Sequence, residues 1–336
     1  MKVLLITPNF FDYPKQICDE IRSMGHEVDW FDDRPSTNSL VKATVRIKKE
    51  LINFMINKYF EDIINSIQGK RYDKVLLISG QSLSFNEEMI KRLKILQSQA
   101  EFILYQWDSQ KNFPYIEHLQ KYFDRCYSFD KEDVSGSDRL RFLPLFFGRR
   151  YEEIGKKNNA EIVYDFMFVG TAHPKKYKYV KEMSEQLSAV YKRQYIYFFF
   201  PSRLVYFYRK FKNPELRKAH YSEFHFTPVN GEEMDRLLTQ SSCVLDSPQQ
   251  SQIGLTIRVL ETLGAKKKII TTNPDVVNYD FYKPENICVY DGKFDYESPF
   301  FKEPYEEIDE NIYKKYSIQT WLSVLIGERE ELKYDR

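Results

Sequence analysis

Short, nearly continuous apolar runs alternate along this chain with segments whose apolar residues recur every three to four positions. KVLLITP, residues 2–8, reads as a buried strand, and YPKQICDEIRSMG, residues 13–25, as a helix with Gly25 in the C-terminal capping position. HEVDWFDD supplies a second strand, YDKVLLIS a third, AEFILYQWD a fourth and FDRCYSFD a short fifth. Between them lie a basic helical stretch over residues 40–68 and the helix FNEEMIKRLKILQ. Strands alternating with helices predict βαβ units, right-handed crossovers and a doubly wound parallel sheet.

RFLPLFFG closes this half, and the polar residues 149–161 carry a linker signal. The pattern then restarts: YDFMFVGT, QYIYFFF, CVLDS, KKIITT and NICVYD read as strands, with KYKYVKEMSEQLSAVY and IGLTIRVLETLGA as helices. Residues 306–332 are again helical. The expected organisation is therefore two Rossmann-like α/β domains, 1–150 and 151–305, and a helical segment, 306–336. Two such sheets leave a cleft between their carboxyl ends, where ligands bind. No repeat with a period of about 20–50 residues is visible, which argues against a solenoid.

Composition narrows the function classes. A length of 336 residues exceeds what one core usually serves and agrees with two domains. With 50 basic and 49 acidic residues, the chain lacks the strongly basic field of a dedicated nucleic-acid binder. Cys18, Cys126, Cys243 and Cys288 form no CxxC pair and have no His at zinc spacing, so a reduced, metal-free compartment is expected. The first apolar run is too short, and too soon interrupted by Pro8 and Asp12, for a signal peptide. No stretch reaches the roughly 18 apolar residues of a membrane span, so the chain reads as soluble or peripheral.

Candidate chemistry falls at strand ends. In FVGTAHPKKYKYVK, Gly170 and Thr171 end a strand and lead into a helix, so backbone N–H groups there suit a diphosphate, with Lys175 and Lys176 to match its charge. An ordinary turn with solvated lysines has the same pattern. Gly254 and Thr256 open the next helix of interest, where a small residue, a hydroxyl and free N–H groups also suit phosphate. Arg258 and Glu261, three apart on that helix, fit a diphosphate and the two hydroxyls of a ribose; alternatively they are an ion pair on a solvated face. The neighbours Ile257, Val259, Leu260 and Leu263 speak against solvation.

In the first half, Asp12 follows strand one and Asp108 follows strand four, each a candidate general base. The structural alternatives are a helix N-cap for Asp12 and an Asx-turn for Asp108. Gly80-Gln81 forms a third loop at that edge. His173 is a candidate contact to a donor phosphate, whereas His220 and His225 are expected to do no chemistry. His220 ends the stretch KRQYIYFFFPSRLVYFYRKFKNPELRKAH, residues 192–220, which interleaves cations with rings, and His225 lies just beyond it. That pattern fits either a surface resting on an anionic bilayer or a buried strand and helix with snorkelling cations. KATVRIKKELINFMINKYF repeats the mixture in the first half.

The ordered set FFDY, HEVDWFDDRP, ILYQWDSQKNFP, YSFDKED, FLPLFF, FVGTAHPKKY, GLTIRVLETLGAKKKIITTN and NYDFYKPENI resembles bacterial glycosyltransferases of capsule, exopolysaccharide and lipopolysaccharide gene clusters, related to the CgeB-like group. The resemblance implies a GT-B fold, metal-independent and without cofactor, with the donor nucleotide on the second domain and the acceptor on the first. It also implies that the C-terminal segment crosses back to the first domain. Many GT-B enzymes carry two glutamates eight positions apart; the later one matches Glu261, but Ile253 stands at the earlier position, which leaves the stereochemistry open.

The expected reaction is transfer of a sugar from a nucleoside diphosphate sugar to a hydroxyl of a growing, lipid-linked glycan, in the cytoplasm or at the inner face of the plasma membrane. Arg258, Thr256 and the Gly170-Thr171 loop would stabilise the leaving diphosphate, and Asp108, then Asp12, would act as base. A polyol-phosphate transferase on the same fold and a non-catalytic scaffold of a polysaccharide assembly complex are the alternatives.

Overall fold

The computed structural model describes the chain except for residue 11 and residues 35–48, 81–84, 158–159 and 249–252. It divides into two compact units, Met1–Pro144 with Ile318–Glu331, and Leu145–Ser317 with Leu332–Arg336.

The first unit is built on β1 (Lys2–Ile6), β2 (Glu27–Phe31), β3 (Lys74–Ser79), β4 (Glu101–Gln106), β5 (Arg125–Ser128) and β6 (Leu140–Phe142). All pair in parallel, in the order β2-β1-β3-β4-β5-β6, so strand order reverses between β1 and β3. The unbroken apolar runs follow from burial on both sheet faces. On one face Leu4, Leu77 and Leu104 pack with Phe60 and Ile63 of the helix Lys49–Ile67 and with Ile90 and Leu93 of the helix Glu87–Leu96. On the opposite face Trp321, from the helix Ile318–Leu325, lies edge-on to Tyr105 with ring centroids 4.9 Å apart. Gly25 takes a φ of 85°, and the amides of Gly25 and His26 close the helix Tyr13–Ser23 on the carbonyls of Arg22 and Ile21.

The second unit contains β7 (Tyr164–Thr171), β8 (Gln194–Phe199), β9 (Phe224–His225), β10 (Ser241–Asp246), β11 (Lys268–Thr271) and β12 (Ile287–Val289). Its parallel sheet runs β12-β11-β10-β7-β8-β9, the order of a dinucleotide-binding Rossmann sheet, with the reversal between β7 and β10.

One expectation is overturned locally. Residues 149–155, read as part of a polar linker, form the helix Arg149–Gly155, which buries Tyr151 and Ile154 in the second unit. Arg150 ties it down by donating to Asp235 at 2.5 Å and to the Gly231 carbonyl at 2.6 Å. A seven-residue helix with two inward apolar side chains carries too little periodicity to be distinguished from a loop. It packs against the helix Ile257–Gly264 at very close range. A Cβ on Gly155 would stand 2.6 Å from the Gly264 carbonyl oxygen, and one on Gly264 would stand 2.6 Å from Phe147 Cγ. Both positions therefore need glycine.

Candidate functional site

The reversal between β7 and β10 gathers most of the charged candidates of the second half. β7 ends at Gly170 and Thr171, β10 ends at Asp246, and the helix Ile257–Gly264 follows the loop after β10. Arg258 Nη1 lies 2.7 Å from Glu261 Oε2, and their side chains are 23% and 4% exposed. The two are thus an ion pair, as the spacing allowed, but not one on a solvated face. Tyr151 donates its hydroxyl to Glu261 Oε1 at 2.5 Å. Burial, with the Glu261 charge beside it, pushes the Tyr151 phenol well above its ordinary range.

Thr256 is the N-cap residue of that helix, but its hydroxyl donates to Asp246 Oδ1 at 2.9 Å and makes no cap hydrogen bond. The other oxygen of Asp246 accepts from Thr271 Oγ1, also at 2.9 Å. Burial raises the Asp246 carboxyl above its usual value, an effect opposed by the Lys176 ammonium, the two threonine hydroxyls and Arg258. Lys176 is lowered in turn by burial. Gly254 is buried, and Asn273 Nδ2 donates to the carbonyl of Ile253 at 2.8 Å and of Gly254 at 3.4 Å, which fixes the loop entering the helix.

The remaining candidates of the second unit make contacts of their own. A Cβ on Gly170 would meet the Phe168 ring at 2.9 Å, so its glycine serves packing within β7. His173 Nδ1 lies 3.2 Å from Arg209 Nη1, and burial together with the Arg209 and Lys176 charges lowers the imidazole to about 4. His225 is stacked on Tyr197 at 3.8 Å. Asp246, Tyr151 and Arg209 escaped the sequence reading. Asp246 carries the same signal as Asp108, an aspartate ending a buried strand, but only strand order reveals that β10 borders β7.

In the first unit, Asp108 follows β4. Asn112 Nδ2 and the Ser109 amide donate to its Oδ1 at 2.9 and 3.1 Å, and burial raises its carboxyl above the usual range. The side chain rests on Gly80, where an added Cβ would stand 2.7 Å from Asp108 Cβ; Gln81 lies outside the described residues. The bond of an Asx-turn is not formed, because the Gln110 amide donates to Asp133 instead, and among described residues Asp108 Oδ2 is left without a donor. Asp12 is exposed and occupies the N-cap position of its helix without a side-chain cap hydrogen bond. A further carboxylate, Asp33, spans the β1/β3 reversal: it is fully buried, accepts from Ser79 Oγ at 2.7 Å, and burial pushes it up to about 6.

Residues 192–220 divide between both expectations: β8 contributes Phe198 to the core, whereas the helix Arg203–Lys212 buries only Tyr206. Part of residues 42–60 lies outside the described residues. Among the described residues no three His, Cys, Asp or Glu side chains are grouped as a metal ion would need, and no helix is long and apolar enough to cross a membrane.

No family model and no curated protein sequence matches the chain. Solved structures match almost all of it. The apo form of the lipopolysaccharide outer core galactosyltransferase WaaB is 13% identical, the match covering 98% of this chain and 99% of that one with a TM-score of 0.51. The UDP-GlcNAc 2-epimerase from Neisseria meningitidis, bound to UDP-GlcNAc, is 10% identical, with 97% and 99% covered and a TM-score of 0.51. At such identities the likeness is one of architecture, and it agrees with the two six-stranded parallel sheets: the chain has the GT-B fold of two Rossmann-like units.

Proposed function

We propose that the chain is a glycosyltransferase that moves a sugar from a nucleoside diphosphate sugar to a hydroxyl of a bacterial surface glycan. The observation that carries this reading is the convergence of Arg258, Glu261, Lys176 and Asp246 at the β7/β10 reversal. Ligands of open α/β sheets bind at that point. Loss of a diphosphate needs cations and N–H dipoles already in place. Arg258, Lys176 and the N-terminus of the helix Ile257–Gly264 would meet that need without a metal. Glu261, which accepts from Tyr151 and is ion-paired with Arg258, would supply the carboxylate that takes the ribose hydroxyls. The second unit would then hold the donor and the first the acceptor, with Asp108 as base. Of the two solved structures named above, one is a galactosyltransferase and the other holds UDP-GlcNAc, which supports a nucleotide sugar as ligand.

That second structure also motivates a rival, an epimerase acting on the same ligand without an acceptor. A panel of nucleotide sugars, titrated calorimetrically and followed by product analysis, separates the readings. A transferase releases nucleoside diphosphate and extends an added glycan, whereas an epimerase interconverts two sugars and releases none. Turnover of a cytidine diphosphate polyol alone would favour polyol-phosphate transfer. Failure of every nucleotide sugar to bind would sink the proposal in favour of a scaffold. A lipid-linked acceptor belongs to the reading and places the protein at the inner face of the plasma membrane.

A further inference from the structure

The helix Arg203–Lys212 turns an apolar stripe to solvent. Ser202 caps it by accepting from the Val205 amide, and Tyr206 anchors it, 5.0 Å from Phe224 and 5.5 Å from Phe200 between ring centroids. The side chains at 204, 207, 208 and 211 recur at the three- and four-residue spacing of one helix face. Leu204 is 82% exposed, Phe207 58%, Tyr208 60% and Phe211 83%. Tyr221 extends the patch, stacked on Phe207 with ring centroids 6.1 Å apart. Scattered exposed apolar residues are ordinary, but contiguous large ones mark an interaction surface.

Charge indicates what covers it. Residues 203–212 hold four cations, Arg203, Arg209, Lys210 and Lys212, and no carboxylate. Arg203 and Lys212 are exposed at the two ends of the helix, with exposed Arg217 and Lys218 just beyond. Lys212 stands 4.7 Å from the Tyr208 ring centroid, cation beside aromatic. The nearby Glu223 carboxylate is spent on Lys181 at 2.8 Å and on the Tyr177 hydroxyl at 2.6 Å. Rings and a leucine on one stripe with cations at its margins match an anionic headgroup layer, apolar groups sinking to the acyl boundary and cations staying among the phosphates.

We infer that the helix Arg203–Lys212 is an interfacial anchor that seats the second unit on an anionic bilayer through Leu204, Phe207, Tyr208 and Phe211. This extends the reading of a lipid-linked acceptor, yet its test uses neither donor nor acceptor, so the two can fail separately. The full chain is cosedimented with vesicles of phosphatidylglycerol and phosphatidylcholine and with vesicles of phosphatidylcholine alone, at low and high salt. Binding is expected to the anionic vesicles, falling as salt screens the cations over about 8 Å at physiological ionic strength. The double variant Phe207→Ser/Phe211→Ser changes only exposed positions, and circular dichroism checks its fold. It should bind about tenfold more weakly or worse. Arg203→Gln/Lys212→Gln should lose roughly tenfold, mainly at low salt. Absence of binding to anionic vesicles at low salt, or equal binding by all variants, would overturn the inference. So would concentration-dependent self-association that the aromatic variant abolishes while no vesicle is bound, since a second copy would then cover the stripe.

Discussion

At the scale of single residues, Glu261 decides most. Its carboxylate is held between Tyr151 and Arg258. Glu261→Gln should weaken nucleotide-sugar binding by about 1.5–3 kcal/mol, the contribution of a hydrogen bond to a charged group, and should also lower the thermal midpoint, because Arg258 loses its partner charge in a mostly buried pair. Calorimetry and a melting curve on the same sample test both halves. Asp108→Asn should act oppositely: donor affinity unchanged, turnover lower by roughly 100-fold or more, because a base acts in the transition state. Unchanged turnover would remove Asp108 from the chemistry and leave it holding its loop through Asn112 and Ser109. His173 offers a pH test. With its folded value near 4 and an unfolded value of about 6.5, the neutral ring contributes stability that is fully present above the unfolded value. That contribution, on the order of 2–3 kcal/mol, is lost as pH falls from about 6.5 to 4. His173→Gln should flatten the fall of the melting temperature across that window, and an imidazole titrating near 6.5 by NMR would contradict the assigned environment.

At the scale of elements, the long buried strands were legible because uninterrupted apolar runs such as VLLI, FILY, FMFV and YIYFFF leave little alternative. The three residues of β6 and the two of β9 were not, since so few positions define no period. The candidate site was half legible. Arg258, Glu261 and Thr256 were found from their spacing on one helix, but their partners Tyr151 and Asp246 arrive from elements whose adjacency depends on strand order. Gly264, the last residue of its helix, is a close contact: Phe147 and the helix Arg149–Gly155 close on it with no room for a methyl group. Gly264→Ala should cost about 1–3 kcal/mol by overpacking and, through Tyr151, loosen Glu261 as well. A melting temperature equal to that of the parent would show that the two helices can separate freely.

At the scale of the whole molecule, the chain passes from the first unit to the second at Leu145, returns at Ile318 and leaves again at Leu332. Residues 318–336 carry Trp321, Leu322 and Leu325 into the first unit and Tyr334 into the second, all nearly or fully buried. A chain ending at residue 317 should therefore lose the packing on Tyr105, where removal of a large aromatic alone costs about 3–5 kcal/mol. Limited proteolysis should cut its first unit at concentrations that spare the full chain; equal resistance would show that the returning helix is dispensable.

The returning segment also sets the order of events during synthesis. Domains commonly close in turn as they leave the ribosome, the N-terminal one first. Here the first unit waits for a helix that begins at Ile318, far beyond its last strand, β6, which ends at Phe142. The second waits slightly longer, for Tyr334, whose carbonyl accepts from the Asp280 amide and whose ring packs 5.4 Å from that of Tyr316. A nascent chain arrested near residue 317 would thus hold two unclosed cores at once. Such a chain is a target for chaperones and proteases, and completion of both units becomes a single late event.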